Sequence, residues 1–222
     1  MSKEDGKLEI GTLQKGPIMW YEFTANFVHI PGWIWPTMVA VTPKDSKEDS
    51  LFHAIALACF KPYVTGVLRG ERINKDKIVS DMRTEMAQKL NYGTGMGESR
   101  VYDMLNGGHR IPISYDELYS QFLGTSSTSV CMLEHISNCI NRDIYIYDHN
   151  INDLWYTGDE SFRLQDRNSI LLYRENNEIY SVVGIKKEDD VVFSHFSPSC
   201  EFITFLKFRL KQIADKVSVR DT

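Results

Sequence analysis

The stretch that most constrains the fold runs from residue 49 to residue 60 and reads DSLFHAIALACF. A polar loop precedes it, and its apolar, alanine-rich composition is typical of a helix that packs inside a domain. The first turn of such a helix has unpaired N–H groups and a positive dipole, which favour an anion. A cysteine there would become nucleophilic, whereas Ser50 needs an adjacent base before it can attack at neutral pH. Spacing alone favours a simpler interpretation, in which Asp49 or Ser50 caps the helix.

Composition indicates an ordinary globular protein with one hydrophobic core. The chain has 222 residues, of which 42% are hydrophobic and 25% charged. Its net charge of -5 gives a nucleic-acid partner no electrostatic support. A signal peptide and a membrane span are not expected, because the first sixteen residues are polar and no apolar run is long enough. The four cysteines are widely spaced, which favours reduced thiols, and we predict a cytoplasmic protein without a cofactor.

The chain divides into three predicted parts. Residues 1-16 form a polar, flexible arm, residues 17-215 a single domain, and residues 216-222 a tail. The domain begins with an aromatic segment around a Pro-Gly turn, which we expect to form a β-ribbon packed on the main sheet. Its rings are Trp20, Tyr21, Phe23, Phe27, Trp33 and Trp35. If these rings are exposed instead, the segment is a patch that binds a partner.

Hydrophobic periodicity then predicts helices followed by strands. Helices are expected over residues 74-90, 115-123 and 128-141, and from Ser197-Pro198 onwards, with strands near 143-148, 154-156, 169-173 and 178-183. Strongly apolar strands among amphipathic helices favour an α/β (α+β) fold with a central β-sheet flanked by helices on both faces.

One helix carries a possible metal stripe. Cys131, His135 and Cys139 recur every four residues and so share one helical face. A structural zinc site needs a fourth ligand, which this pattern does not supply. We therefore expect ordinary packing here and no metal.

The residues from Ser50 to Ala56 resemble the nucleophile motif of the ovarian tumour (OTU) family of cysteine proteases. In that family an Asp-Gly-Asn/Asp-Cys-Leu-Phe pattern precedes the same helix, and Leu51-Phe52 matches its end. The order of later elements is also similar, so the resemblance covers roughly residues 38-185 and implies an OTU-like papain-type fold. The segment FSHFSP at 193-198, followed by a Phe-rich helix, resembles the extension on OTU-like proteins of large DNA viruses.

The resemblance also marks departures at each catalytic position. Ser50 replaces the nucleophilic cysteine, and Lys47-Glu48 stand where the family has Asp-Gly, although Asp45 or Asp49 takes the loop aspartate's part after a shift. The family's His-Tyr pair matches Ile179-Tyr180, and Ser181 occupies the position of the orienting Asp or Asn. Isoleucine cannot accept a proton, so the nucleophile, its base and the orienting group are all altered.

Two other histidines are candidates to replace the lost base. His53 lies three residues after Ser50, but its side chain projects along the helix surface. His195 would reach Ser50 only if the segment 186-199 folded back over the cleft.

These positions predict an OTU-like pseudoenzyme that serves as a non-catalytic protein-binding or viral structural module. The implied partner is ubiquitin, a ubiquitin-like protein or another viral particle protein, with no nucleic acid and no membrane. The implied location is the cytoplasm, or the host cytoplasm or virion for a viral protein. The alternative is an active OTU deubiquitinating cysteine protease, or one whose cysteine was changed to Ser50 to trap a substrate.

Overall fold

The structure is a computed structural model that describes residues 12-13, 19-22, 38-42, 49-92, 101-103, 113-124, 128-156, 163, 166-175, 179-186 and 192-220. The helices are α1 (Ser50–Cys59), α2 (Lys61–Thr65), α3 (Lys75–Lys89), α4 (Tyr115–Leu123), α5 (Val130–Ile140) and α6 (Glu201–Arg220). The strands are β1 (Thr12–Leu13), β2 (Met19–Glu22), β3 (Met38–Thr42), β4 (Val67–Leu68), β5 (Glu71–Arg72), β6 (Asp143–Asp148), β7 (Asp153–Leu154), β8 (Ser169–Arg174), β9 (Tyr180–Lys186), β10 (Val192–Phe193) and β11 (His195–Phe196).

A mixed β-sheet lies at the centre of the described chain. Its main path runs β1-β10-β9-β8-β6-β7, with β11 also paired to β8, β3 to β9 and β2 to β3. Strands β6 and β8 are parallel, and the other pairs of this sheet are antiparallel. The fold is therefore mixed α/β, with a central sheet flanked by helices, as the sequence predicted.

The sheet separates two hydrophobic cores. Successive side chains along a strand point to opposite faces, so they belong alternately to one core and the other. In β6, Ile144 and Ile146 belong to the core with helices α1, α3, α4 and α5. Tyr145 and Tyr147 belong to the core with α6. All six residues of β6 are buried because helices cover both faces.

Helix α1 lies between the sheet and helix α3, and it is apolar on every side. Residues 51-58 are all buried, and Ala54, Ile55 and Ala56 have no exposed surface. An apolar helix surface all round is typical of a helix enclosed by protein. The predicted burial of this segment is confirmed.

The other face of the sheet is covered by α6. Its side chains Phe202, Ile203, Leu206 and Leu210 are buried against the sheet. The predicted start at Ser197-Pro198 is wrong, since α6 begins at Glu201. Ser197 instead forms a turn, in which its carbonyl accepts the Cys200 N–H at 3.0 Å. The helix ends at Arg220, beyond the predicted start of the tail.

Side-chain capping fixes two of the predicted helix starts. Asn74 Oδ1 accepts the N–H groups of Asp76 and Lys77 at 2.9 and 3.2 Å. Ser114 Oγ accepts the N–H of Glu117 at 3.2 Å. One charged residue of α3, Arg83, is buried.

The aromatic segment near the start of the domain forms the backbone ribbon that the sequence predicted. Strands β2 and β3 pair in antiparallel fashion, and β3 pairs with β9 of the main sheet. Residues 23-37 lie outside the described residues, so a role in partner binding stays a prediction. Within the predicted arm, Thr12–Leu13 pairs with β10, and the domain boundaries also stay predictions.

Alanine substitutions along α1 should separate core residues from the hydroxyl at its start. Leu51→Ala, Phe52→Ala and Ile55→Ala should each lower the free energy of unfolding by about 2-5 kcal/mol, because each side chain is buried. Ser50→Ala should cost about 1-3 kcal/mol, because it leaves a buried N–H without its acceptor. Urea unfolding measures these differences. Negligible effects at all four positions would contradict the burial of α1.

Candidate functional site

Ser50 lies where the start of α1 meets the start of β9. It is the first residue of the helix, and only 3% of its surface is exposed. Its Oγ accepts the backbone N–H of Tyr180, the first residue of β9, at 3.2 Å. The two segments that the sequence singled out, 130 residues apart in the chain, are thus in direct contact.

The two residues next to Tyr180 in the chain have different surroundings from those of Tyr180. Ile179 is half-buried just before the strand, and its carbonyl accepts the Glu175 N–H at 2.9 Å. Tyr180 and Val182 belong to the core on the α1 side. The alternation of the strand therefore puts the side chain of Ser181 on the opposite face of the sheet, where it is fully buried. The structure brings Ser50 to Tyr180, next to Ile179, and directs Ser181 away from Ser50.

Asp49 interacts with an arginine of α3. Its carboxylate accepts a hydrogen bond from Arg83, and it makes no side-chain cap to the helix. Arg83 also donates to the carbonyls of Phe122, at 2.5 Å, and Gly124. The pair of Asp49 and Arg83 therefore joins the loop before Ser50 to α3 and to the end of α4. Burial lowers the pKa of the Arg83 guanidinium. Sequence reasoning missed this residue because an arginine within a charged helix does not indicate burial.

A second cluster, which the sequence did not predict, contacts Tyr180. Arg174, at the end of β8, pairs with Asp148, at the end of β6, and its guanidinium lies 4.7 Å from the ring centroid of Trp155. Burial opposes the charged form of Arg174, but its hydrogen bonds to Tyr180 and Asp148 raise the pKa of this guanidinium. The parallel register of β6 and β8 places Asp148 opposite Arg174 and so builds this cluster.

The histidine three residues into α1 contacts a tyrosine and an aspartate. His53 Nδ1 lies 2.8 Å from the Tyr63 hydroxyl, and its Nε2 lies 3.6 Å from Asp76. Burial lowers the pKa of His53. The imidazole therefore links α1 to α2 and α3, as expected for a side chain that projects along the helix surface.

His195 lies at the other end of α1. Its Nε2 is 3.8 Å from the Sγ of Cys59, the last residue of the helix. At the helical rise per residue, Cys59 is ~13 Å along the axis from Ser50. Burial lowers the pKa of His195 to about 4. The fold therefore does not carry His195 back to the start of the helix. Two more histidines, His29 and His109, lie outside the described residues.

The possible metal stripe on α5 is part of the core. His135 Nε2 lies 2.7 Å from the Met86 carbonyl, so it carries the ring proton, and Cys139 Sγ lies 3.6 Å from the same nitrogen. Cys131 is buried. Across the ranges that the structure describes, no three His, Cys, Asp or Glu side chains are grouped to hold a metal ion. The same ranges contain no helix that is both long and apolar enough to cross a bilayer.

Comparison with known proteins gives a structural similarity but no match in sequence. No protein-family model matches the chain, and no curated protein matches it in sequence. Among solved structures, it is similar to an ovarian tumor (OTU) domain in complex with ubiquitin, with 18% identity and a TM-score of 0.44. The similarity covers 80% of this chain and 86% of that chain.

The pKa of His195 predicts a loss of stability in acid. The unfolded chain takes up a proton below about pH 6.5, whereas folded His195 takes it up only near pH 4. Its contribution is complete above pH 6.5 and is lost as the pH falls to about 4, by about 3 kcal/mol in total. Asp143 acts in the opposite direction: burial raises its pKa to about 6, so its contribution is present below pH 3.8 and lost as the pH rises through 6.

Urea unfolding from pH 7 to pH 4 tests this prediction. His195→Gln should remove most of the histidine's contribution, so the difference in free energy of unfolding between wild type and variant should shrink by about 3 kcal/mol from pH 7 to pH 4. His149→Gln, at an exposed histidine, is the matched control and should keep the wild-type slope. Identical slopes for His195→Gln and the wild type would show that His195 does not set the acid sensitivity.

Proposed function

We propose that this chain is an OTU-like pseudoenzyme, a non-catalytic module that binds a protein partner. The observation that carries the proposal is the state of Ser50. Its hydroxyl is buried and already accepts the backbone N–H of Tyr180. A hydroxyl in this state contributes to the packing of α1 on β9 and is not activated for attack on a substrate carbonyl.

Chemistry at this position requires more than a hydroxyl at a helix start. A serine attacks an amide only when a base within hydrogen-bond reach removes its proton, and the same group must then protonate the leaving amine. Ile179, at the position that the resemblance gives to the base, offers no such group. His53 and His195 contact Tyr63 and Cys59.

The surroundings of Ser50 also support a structural role. Asp49 pairs with Arg83, and Tyr180 hydrogen-bonds to Arg174. Each side of the contact is thus held by an arginine, buried Arg83 on one side and half-buried Arg174 on the other, which fixes the position of Ser50 against β9. The helix start still favours an anion, so a thiol at position 50 would gain some reactivity.

We propose ubiquitin or a ubiquitin-like protein as the partner class. The support is the resemblance of residues 38-185 to the OTU family, whose members act on ubiquitin. The similarity of FSHFSP at 193-198 to viral OTU-like proteins supports, as a second setting, a structural role in a viral particle.

Purified protein should not cleave di-ubiquitin above background, because Ser50 lacks a suitable base at position 179. Titration of ubiquitin, followed by NMR of labelled ubiquitin, should still show saturable binding. Cleavage by the unmodified chain that Ser50→Ala abolishes would overturn the loss of catalysis. If no chemical shift of ubiquitin changes during the titration, the proposed partner class is wrong. The cleavage assay would still decide whether the chain is catalytic.

Two variants test whether the contact of α1 and β9 derives from an active site. Ser50→Cys should react slowly with an electrophilic ubiquitin probe but should not turn over, since no group protonates the leaving amine. Ser50→Cys combined with Ile179→His should recover measurable hydrolysis. Ser50→Cys with Ile179→Gln is the matched control and should stay inactive. Equal hydrolysis by the two double variants would show that position 179 is not the position of the base.

A further inference from the structure

A groove lies beside the C-terminal half of α1, away from Ser50. It has a volume of about 390 Å³ and runs between α1, α3 and α5. Its floor is apolar and consists of Ile55, Ala56, Met82, Met86 and Ile140. The buried α1 and the core side of α3 form its base.

Exposed hydrophobic side chains continue this floor to the surface. Phe60, just after α1, is 39% exposed, and Leu68, in the β4-β5 hairpin, is 43% exposed. Both line the groove, as does half-buried Ile78. A contiguous apolar surface of this kind is typical of an interaction site. Because these side chains face solvent, the groove is open to a partner on this side.

The α3 side of the groove carries negative charge. Asp81, Glu85 and Lys89 line it at intervals of four residues and therefore follow one line along the helix. Lys89 Nζ lies 2.7 Å from Glu85 Oε1, so these two charges offset each other. Among the residues with described side chains, Asp81 has no ion-pair partner, and it is exposed. Within the described part of the chain, the groove thus presents an unpaired carboxylate beside an apolar floor.

We propose that this groove docks an amphipathic helix of a partner protein, with apolar side chains on Met82 and Met86 and a Lys or Arg facing Asp81. Helices bind such grooves through anchor residues spaced three and four apart, and Met82 and Met86, one helical turn apart in the groove, would contact two such anchors. Methionine side chains adapt to the shape of what they contact, and so suit a helix-binding surface. The proposal does not rest on the state of Ser50 and extends beyond the proposed function.

The probe is a fluorescein-labelled synthetic peptide of about 18 residues, with leucines along one helical face and lysines beside them. A second peptide has each lysine replaced by glutamate. Fluorescence anisotropy with the full chain should show tighter binding of the lysine peptide. Asp81→Lys should lower the affinity for the lysine peptide by about three- to fivefold, as expected for the loss of one exposed charge pair. The same change should raise the affinity for the glutamate peptide. Asp81 is exposed, so this substitution should leave the fold intact.

A second pair of variants tests the apolar floor. Met82→Glu should weaken the lysine peptide by about tenfold or more, since it puts a charge into the apolar contact. Phe208→Glu changes an exposed hydrophobic residue of α6 outside the groove, and should leave binding unchanged. Circular dichroism checks that each variant is folded, and if Met82→Glu is not, the charge swap at Asp81 decides.

Three outcomes would overturn the proposal. The first is equal affinity of the wild type for the two peptides, and the second is an Asp81→Lys variant that keeps the wild-type preference. The third is self-association of the wild type that Met82→Glu removes, measured by sedimentation, because the groove would then be filled by a second copy of the chain.

Discussion

The enclosure of α1 between the sheet and α3 determines most of what this molecule can do. Nearly every side chain of the helix is buried, so its start and its end are both fixed by what surrounds them. At the start, Ser50 is held against the first residue of β9. At the end, Cys59 lies against His195 on one side and lines the groove on the other. The helix is too apolar to leave this position without exposing a large hydrophobic surface.

Buried arginines supply the polar contacts that this arrangement requires. Arg83 satisfies the carbonyls of Phe122 and Gly124 and pairs with Asp49, so one side chain joins three segments near Ser50. Removal of Arg83 would leave one buried and two half-buried acceptors without their donor, and an unsatisfied buried acceptor costs more free energy than a hydrogen bond normally contributes. Such a residue fixes geometry, and it explains why the loop before α1 reaches the helix at a defined place.

The fold was largely predictable from the sequence, and the contacts of the site were not. The period of two in β6 and the apolar content of α1 are local signals, and they predicted a sheet between two layers of helices. Ser50 and Tyr180 are 130 residues apart, and only the family resemblance indicated that they meet. Nothing local distinguishes buried Arg83 from the exposed charges of α3, or predicts that Arg174 binds Tyr180. These roles depend on which elements pack together, which periodicity does not specify.

The two ends of α1 therefore differ in a way that bears on function. At the start, the polar groups pair with one another: the hydroxyl of Ser50 with a backbone N–H, and Asp49 with Arg83. At the end, apolar side chains remain exposed, and a carboxylate lies beside them without a counter-charge in the described part of the chain. A surface whose interactions are already satisfied gains little from a partner, whereas one with exposed hydrophobic area gains from burying it. The end of α1 thus has more free energy to gain from burial by a partner than its start has.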